Sequence, residues 1–280
     1  MRILSCNEIT KAVAELCIRA NTILPNDIRS LIDGAEKSEK SPAGRDVLRD
    51  LRENYLLAER ENLPICQDTG MAVVFAELGQ DLHLTDGNFE DAINEGVRQG
   101  YEKGFLRKSV VKDPLRRENT LDNTPAIIHT RIVSGERLKL ILAPKGFGSE
   151  NMSAVKMFLP SCSADEILDF IVDTVDRAGS SPCPPVILGV GLGGTLDYAA
   201  LIAKKALTRS ADKRNEDPFY AELEEKALKR INALGLGPQG FGGTNTALAV
   251  NIEAFPTHIA GLPCVVNVGC HVTRHAEILL

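Results

Sequence analysis

Cysteines at positions 66, 183 and 270 each stand in a turn-forming context, and their wide separation constrains the fold more than any local pattern. They are Cys66 in Pro64-Ile65-Cys66-Gln67-Asp68-Thr69-Gly70, Cys183 in Pro182-Cys183-Pro184-Pro185, and Cys270 in Gly269-Cys270-His271. Only a folded domain with long-range connections can bring such positions together. Each adjoins Pro or Gly, at the kind of loop or element end where ligands are usually presented. A free cysteine is more often a small buried hydrophobe. That is the expectation for Cys6 and Cys17, in or near the first helix, and for Cys162 at a helix cap. Cys264 lies in an apolar strand with the same side parity as Cys270, which makes it the strongest competing thiol.

The remaining bounds are ordinary for a soluble globular chain. At 280 residues, with 44% apolar and 25% charged content, one large domain or two modest ones can bury a core. The net charge of −6 argues against nucleic acid or an anionic membrane as partner, and requires local basic residues for any anionic substrate. No apolar run reaches membrane-spanning length, and Met1-Arg2-Ile3-Leu4 opens no signal-peptide core. An odd count of seven cysteines fits a reducing compartment, so the expected location is the cytoplasm.

Periodicity predicts an α/β chain: a helical subregion over 1–60, then a mixed α/β region over 61–280 with glycine-rich loops. Ile9, Val13, Leu16, Cys17 and Ala20 recur at helical spacing, as do Val47, Leu48, Leu51, Tyr55 and Ala58. Met71 to Leu78 reads as a strand, and Asn88 caps a helix to about Glu102. Thr124–Val133 and Arg137–Ala143 read as two strands joined at Ser134-Gly135-Glu136. Ser163 and Glu166 form a capping box for a helix to about Arg177. Val186–Val190 reads as a buried strand running into Gly191-Leu192-Gly193-Gly194-Thr195 and a helix to about Leu207. A charged helix follows over Pro218–Leu234, then strands over Ala247–Ile252 and Val265–Val268.

Several chemistries compete for these residues. The glycines at 191–194 resemble a dinucleotide loop, but Leu196 stands where the last glycine belongs, and no phosphate-binding GxxxxGK[ST] occurs. Cys270 with His271 and His275 suggests zinc, though the usual CxxC pair is missing. Three thiolates are one short of the four that close an ordinary iron–sulfur cluster. A [4Fe–4S] cluster held by three would leave one iron open to substrate as a Lewis acid. Asp68, two residues after Cys66, would then suit acid–base work, or else simply forms its Asp-Thr-Gly turn. Arg107 belongs to a basic cluster that either grips a carboxylate or is merely solvated. His258, beside Pro256-Thr257 and an apolar run, reads as a buried, satisfied histidine.

Taken in order, several segments resemble the α-type chain of the class I iron–sulfur hydro-lyases over essentially the whole length. They are Ile65–Gly70, Leu106-Arg107-Lys108-Ser109-Val110-Val111, Asp122-Asn123-Thr124-Pro125-Ala126, Lys145-Gly146-Phe147-Gly148-Ser149-Glu150-Asn151, Cys183-Pro184-Pro185, Gly235-Leu236-Gly237-Pro238-Gln239-Gly240, His258-Ile259-Ala260 and Gly269-Cys270-His271. That family acts on fumarate/malate or on tartrate, and the Leu-Arg-Lys-Ser and Lys-Gly-Phe-Gly-Ser-Glu-Asn segments resemble its fumarase branch. The resemblance implies Cys66, Cys183 and Cys270 as ligands of a [4Fe–4S] cluster. It implies Asp68 as the group exchanging a proton with water, His258 in support, and Gln67, Arg107 and Gly148 at the substrate carboxylates. Long members carry a further C-terminal domain, and split members supply it as a separate β chain. The resemblance therefore implies a β-subunit partner in a hetero-oligomer. A non-enzymatic cluster or metal protein is the alternative from another class.

Overall fold

The computed structural model describes residues 2–280. In chain order its elements begin with β1 (Arg2–Ser5), α1 (Cys6–Thr22), α2 (Asn26–Ser38) and α3 (Pro42–Glu61). There follow β2 (Met71–Gly79), β3 (Leu82–Thr85), α4 (Phe89–Lys103), β4 (Ile127–Val133) and β5 (Leu138–Lys145). The rest are α5 (Phe147–Glu150), β6 (Ala154–Phe158), α6 (Ala164–Ala178), β7 (Val186–Gly193), α7 (Leu196–Ala206), α8 (Pro218–Asn232), β8 (Ala247–Phe255), β9 (Leu262–Gly269) and β10 (Ala276–Leu279). The expected α/β class is what forms. Two compact units result, one from Met1–Pro25, Tyr55–Gly146 and Arg274–Leu280, the other from Asn26–Asn54 and Phe147–Thr273.

In the first unit, Ser5 turns strand into helix. Its Oγ accepts the Asn7 N–H and its own N–H donates to Glu8, completing a capping box. Ile9, Val13 and Leu16 of α1 then share one face and cluster with Ile93, Val97 and Tyr101 of α4 and with Leu138, Leu140 and Leu142 of β5. Each such buried side chain contributes roughly 1.5–3 kcal/mol relative to exposure. The sheet order is β10-β5-β2-β4, while β1 and β3 pair separately and in parallel. The two strands flanking Ser134-Gly135-Glu136 therefore do not pair with each other. β2 lies between them, parallel to β4 and antiparallel to β5, with Val73 opposite Ile127 and Val74 opposite Leu142.

The second unit is built on the sheet β6-β9-β7-β8, in which β7 runs parallel to β8 and antiparallel to β9. Its core gathers Leu188, Val190, Ile252, Val266 and Val268 with Ile171 and Val175 of α6 and Leu223, Ala227 and Ile231 of α8. The glycines that resembled a dinucleotide loop lie mostly inside β7. They serve helix packing: a Cβ on Gly189 or Gly191 would fall 2.0 Å from the Ala203 or Ala199 carbonyl oxygen of α7. Only a strand without side chains there lets α7 sit directly on the sheet.

Glu39 ties the α2–α3 connection into this unit. Its carboxylate, 1% exposed, accepts N–H groups of Ser41, Thr244 and Asn245, the Thr244 hydroxyl and the Asn245 amide. Burial pushes its pKa up, but these donors outweigh burial and bring it down to about 2. A folded pKa below the unfolded value stabilises the fold above the unfolded pKa, and that contribution disappears as pH falls from about 4.5 towards about 2. Glu39→Gln should cost about 3 kcal/mol at neutral pH, at about 1.4 kcal/mol per unit. Urea unfolding of both proteins across pH checks this: the gap should narrow in acid, and a gap independent of pH would contradict it.

Candidate functional site

The expected residues fall into two groups, one in each unit. In the first unit, the segment after α3 forms a tight turn around Cys66. The Asp68 N–H points at the Cys66 sulfur at 3.4 Å, and the Gly70 N–H donates to Asp68 Oδ1 at 3.0 Å. Gln67 Oε1 lies 3.3 Å from the thiol. Gly70 adopts φ +75, and a Cβ there would fall 2.7 Å from the Lys145 nitrogen, so only glycine lets the turn close against the end of β5. Gly146 is as confined: its Cβ would lie 3.1 Å from Asp68 Oδ2.

Three buried side chains hold this turn from behind. Tyr101 Oη of α4 donates to the Thr69 carbonyl at 2.7 Å. Asn123 Nδ2 donates to the Gly70 carbonyl, while its Oδ1 accepts the Ser109 and Val110 N–H groups. Arg274, 3% exposed, donates from Nη2 to the Asp68 carbonyl at 2.6 Å and from Nε to Asn21 Oδ1. The Thr69 hydroxyl donates to the Arg107 carbonyl at 2.9 Å. The backbone of Arg107 is thus fixed beside the Cys66 turn while its side chain is exposed. Cys66, Gln67 and Asp68 share this turn and the Arg107 backbone is tied to it through Thr69, while Tyr101 and Arg274 are supports that no sequence motif marked.

In the second unit, Cys183 and Cys270 sit at neighbouring strand ends. Cys183 precedes β7 and Cys270 follows β9, and Ile187 pairs with Gly269. The His271 N–H donates to the Cys183 carbonyl at 3.4 Å, and His271 Nδ1 lies 3.0 Å from the same oxygen. Cys183 itself adopts φ +55, a conformation uncommon outside glycine and often found at functional sites. Gly148 in α5 is exposed, and a Cβ there would lie 3.7 Å from the Ser181 carbonyl, so it stands by the approach to Cys183.

His258 departs from the buried expectation. It is exposed on the turn joining β8 to β9, where its Nδ1 accepts the Ala260 N–H at 3.1 Å. That turn lies at the opposite end of the sheet from Cys183 and Cys270, a strand length of roughly 20 Å away. The apolar neighbours that suggested burial, Phe255 and Ile259, are exposed themselves.

Three of the other four thiols are core residues. Cys6, Cys17 and Cys264 are buried, and burial drives the Cys17 thiol pKa far up. Burial, with Cys162 nearby, pushes the Cys264 thiol up to about 12. Cys162 is partly exposed, and partial burial and Glu166 raise its pKa too. Such thiols are poor ligands, because the thiolate is the binding form. No disulfide links any of the seven. Among the described residues, no three His, Cys, Asp or Glu side chains group around a position for one metal ion, and zinc gains no support from Cys270, His271 and His275. No described helix is long and apolar enough to cross a membrane.

Comparison with known proteins adds a second line of observation. The chain is 40% identical over 275 residues to the putative L(+)-tartrate dehydratase subunit alpha of Methanocaldococcus jannaschii, covering 96% of each chain. It is 27% identical over 277 residues to the L(+)-tartrate dehydratase subunit alpha of Escherichia coli O157:H7, covering 98% of this chain and 91% of that one. The family model described as Fumarate hydratase (Fumerase) matches residues 10–279. With its Cys66 and Cys183/Cys270 turns formed in sequence stretches that this match spans, the chain belongs to the fumarate hydratase family of hydro-lyases.

Proposed function

We propose that this chain is the α subunit of an iron–sulfur hydro-lyase that interconverts fumarate and (S)-malate, with residues 1–280 acting as one catalytic chain in the cytoplasm. The observation that carries the ligand set is the contrast among the seven thiols. Cys66, Cys183 and Cys270 reach solvent from turns, whereas Cys6, Cys17 and Cys264 are buried in apolar cores; Cys162 also reaches solvent, but partial burial and Glu166 raise its pKa. That donor set fits a [4Fe–4S] cluster, whose ligands spread over a cube rather than converging on one atom. The cluster, when bound, supplies Lewis-acid polarisation of the substrate hydroxyl, which is otherwise a poor leaving group.

The rest of the chemistry falls to the side chains. Asp68, oriented by the Gly70 N–H, gives a proton to the departing hydroxyl as the carboxylic acid, or takes one from the attacking water as the carboxylate. Gln67, Arg107 and the Gly148 backbone hold the substrate carboxylates. His258 is assigned proton relay by resemblance alone, at the far end of its sheet. The base that removes the carbon-bound proton comes from a separate β chain. Both relatives are named as alpha subunits, which supports a partner of that kind.

A second reading, tartrate dehydration, draws on the names of those relatives. The α and β chains should be purified together without oxygen, then assayed with malate, fumarate and both tartrate enantiomers. Turnover of malate and fumarate well above tartrate supports the proposal, and the reverse replaces the substrate. Absence of both iron and turnover after reconstitution would leave a non-catalytic protein. Arg107→Ala should lower kcat/KM by about 10- to 100-fold, the worth of a charged hydrogen bond, with iron content unchanged. Its loop is anchored through backbone atoms, so the substitution leaves the turn intact; unchanged kinetics would mean a solvated patch.

A further inference from the structure

Gln239 meets both cysteine turns of the second unit. It lies in the short 3-10 turn Pro238–Gly240 at φ +51, a left-handed conformation unusual for a side chain of this type. Its backbone N–H and its side-chain Nε2 both reach the Pro184 carbonyl at 2.7 Å. Because a carbonyl only accepts, Nε2 is fixed as the amide nitrogen. That nitrogen also stands 3.2 Å from His271 Nδ1 and donates to it in the tautomer with the imidazole proton on Nε2, in which the His271–Cys183 link is carried by the backbone N–H alone. One amide thus spans the residue after Cys183 and the residue after Cys270.

The loop that presents Gln239 is held on both sides. Gly237 N–H donates to Thr246 Oγ1, Gly242 N–H to the Leu236 carbonyl, and Glu39 clamps Thr244 and Asn245. This network over-determines the left-handed conformation, which would otherwise relax. We propose that Gln239 is a positioning residue, whose side chain locks the Cys183 turn to the Cys270 turn and fixes two of the three thiols before iron arrives. The inference rests on the cluster reading for its purpose, but the lock is made of protein atoms alone and is testable without metal.

Gln239→Asn is the discriminating substitution. Asparagine accepts a left-handed backbone readily but is too short to span both turns. A merely structural residue would therefore be neutral or gain stability. With the α and β chains together and metal-free, iodoacetamide labelling of each cysteine should be followed by mass spectrometry. Cys183 and Cys270 should label at least about threefold faster in the variant through local opening, with Cys66 unchanged and melting temperature preserved. Equal labelling rates, or a general loss of stability accompanied by faster labelling at Cys66 as well, would overturn the proposal. Reconstitution with ferrous iron and sulfide adds a second readout, in which the variant should retain less cluster and show an altered EPR line shape. If the wild type takes up no iron, the cluster reading fails while the labelling comparison still decides the role of Gln239.

Discussion

Cys66→Ser is expected to abolish cluster binding and activity together, whereas Cys264→Ser should leave both in place. Serine matches cysteine in shape, but its alcohol does not ionise in the range where a thiolate forms, so one corner of the cluster would lose its ligand. In Cys66→Ser the visible absorbance and iron content should fall to near background after reconstitution, with the fold preserved. Cys264 is wholly buried in β9, opposite Leu192 of β7. Its substitution buries a hydroxyl and should cost about 1–3 kcal/mol of stability without touching iron. Iron analysis beside thermal unfolding separates the two outcomes. Loss of iron from Cys264→Ser with retention in Cys270→Ser would reverse the assignment of thiols.

Asp68→Asn should reduce kcat by roughly 10²- to 10⁴-fold while iron content and KM change little. The substitution is close to isosteric, and its amide oxygen can still accept the Gly70 N–H. The Asp68 backbone keeps its contacts to the Cys66 sulfur and to Arg274. What disappears is the capacity to exchange a proton. A kcat within a few-fold of wild type would reduce Asp68 to a turn former. A loss of iron would instead show that its charge is needed to build the cluster site.

Local signals in the sequence were reliable where the physics is local. Ser163 with Glu166 and Asn88 ahead of α4 cap their helices as expected, because capping depends on residues three apart. Strands β1, β3, β6 and β10 were not anticipated. They are four or five residues long and mostly half-exposed, too short to establish an alternating period. The order of strands in the first sheet was not legible, because nothing local says that β2 will occupy the place between β4 and β5. The thiols and their immediate neighbours were visible, since Pro and Gly mark the turns that carry them. Arg274 and Gln239 were not recognised as supports. Their partners Asp68 and Pro184 lie 206 and 55 residues away, and no spacing rule links such pairs.

The bare ridge of β7 bears on how tolerance to substitution should be interpreted across this chain. Gly189 and Gly191 carry no chemistry, yet even a methyl group at either would collide with the backbone of α7. A saturation screen scored by growth would therefore rank them with Cys66, although they fail by a different route: the variant would be missing from the cell rather than present and inactive. Scoring protein abundance alongside growth separates the two classes. Positions that lose growth while abundance holds then mark the residues that act on substrate.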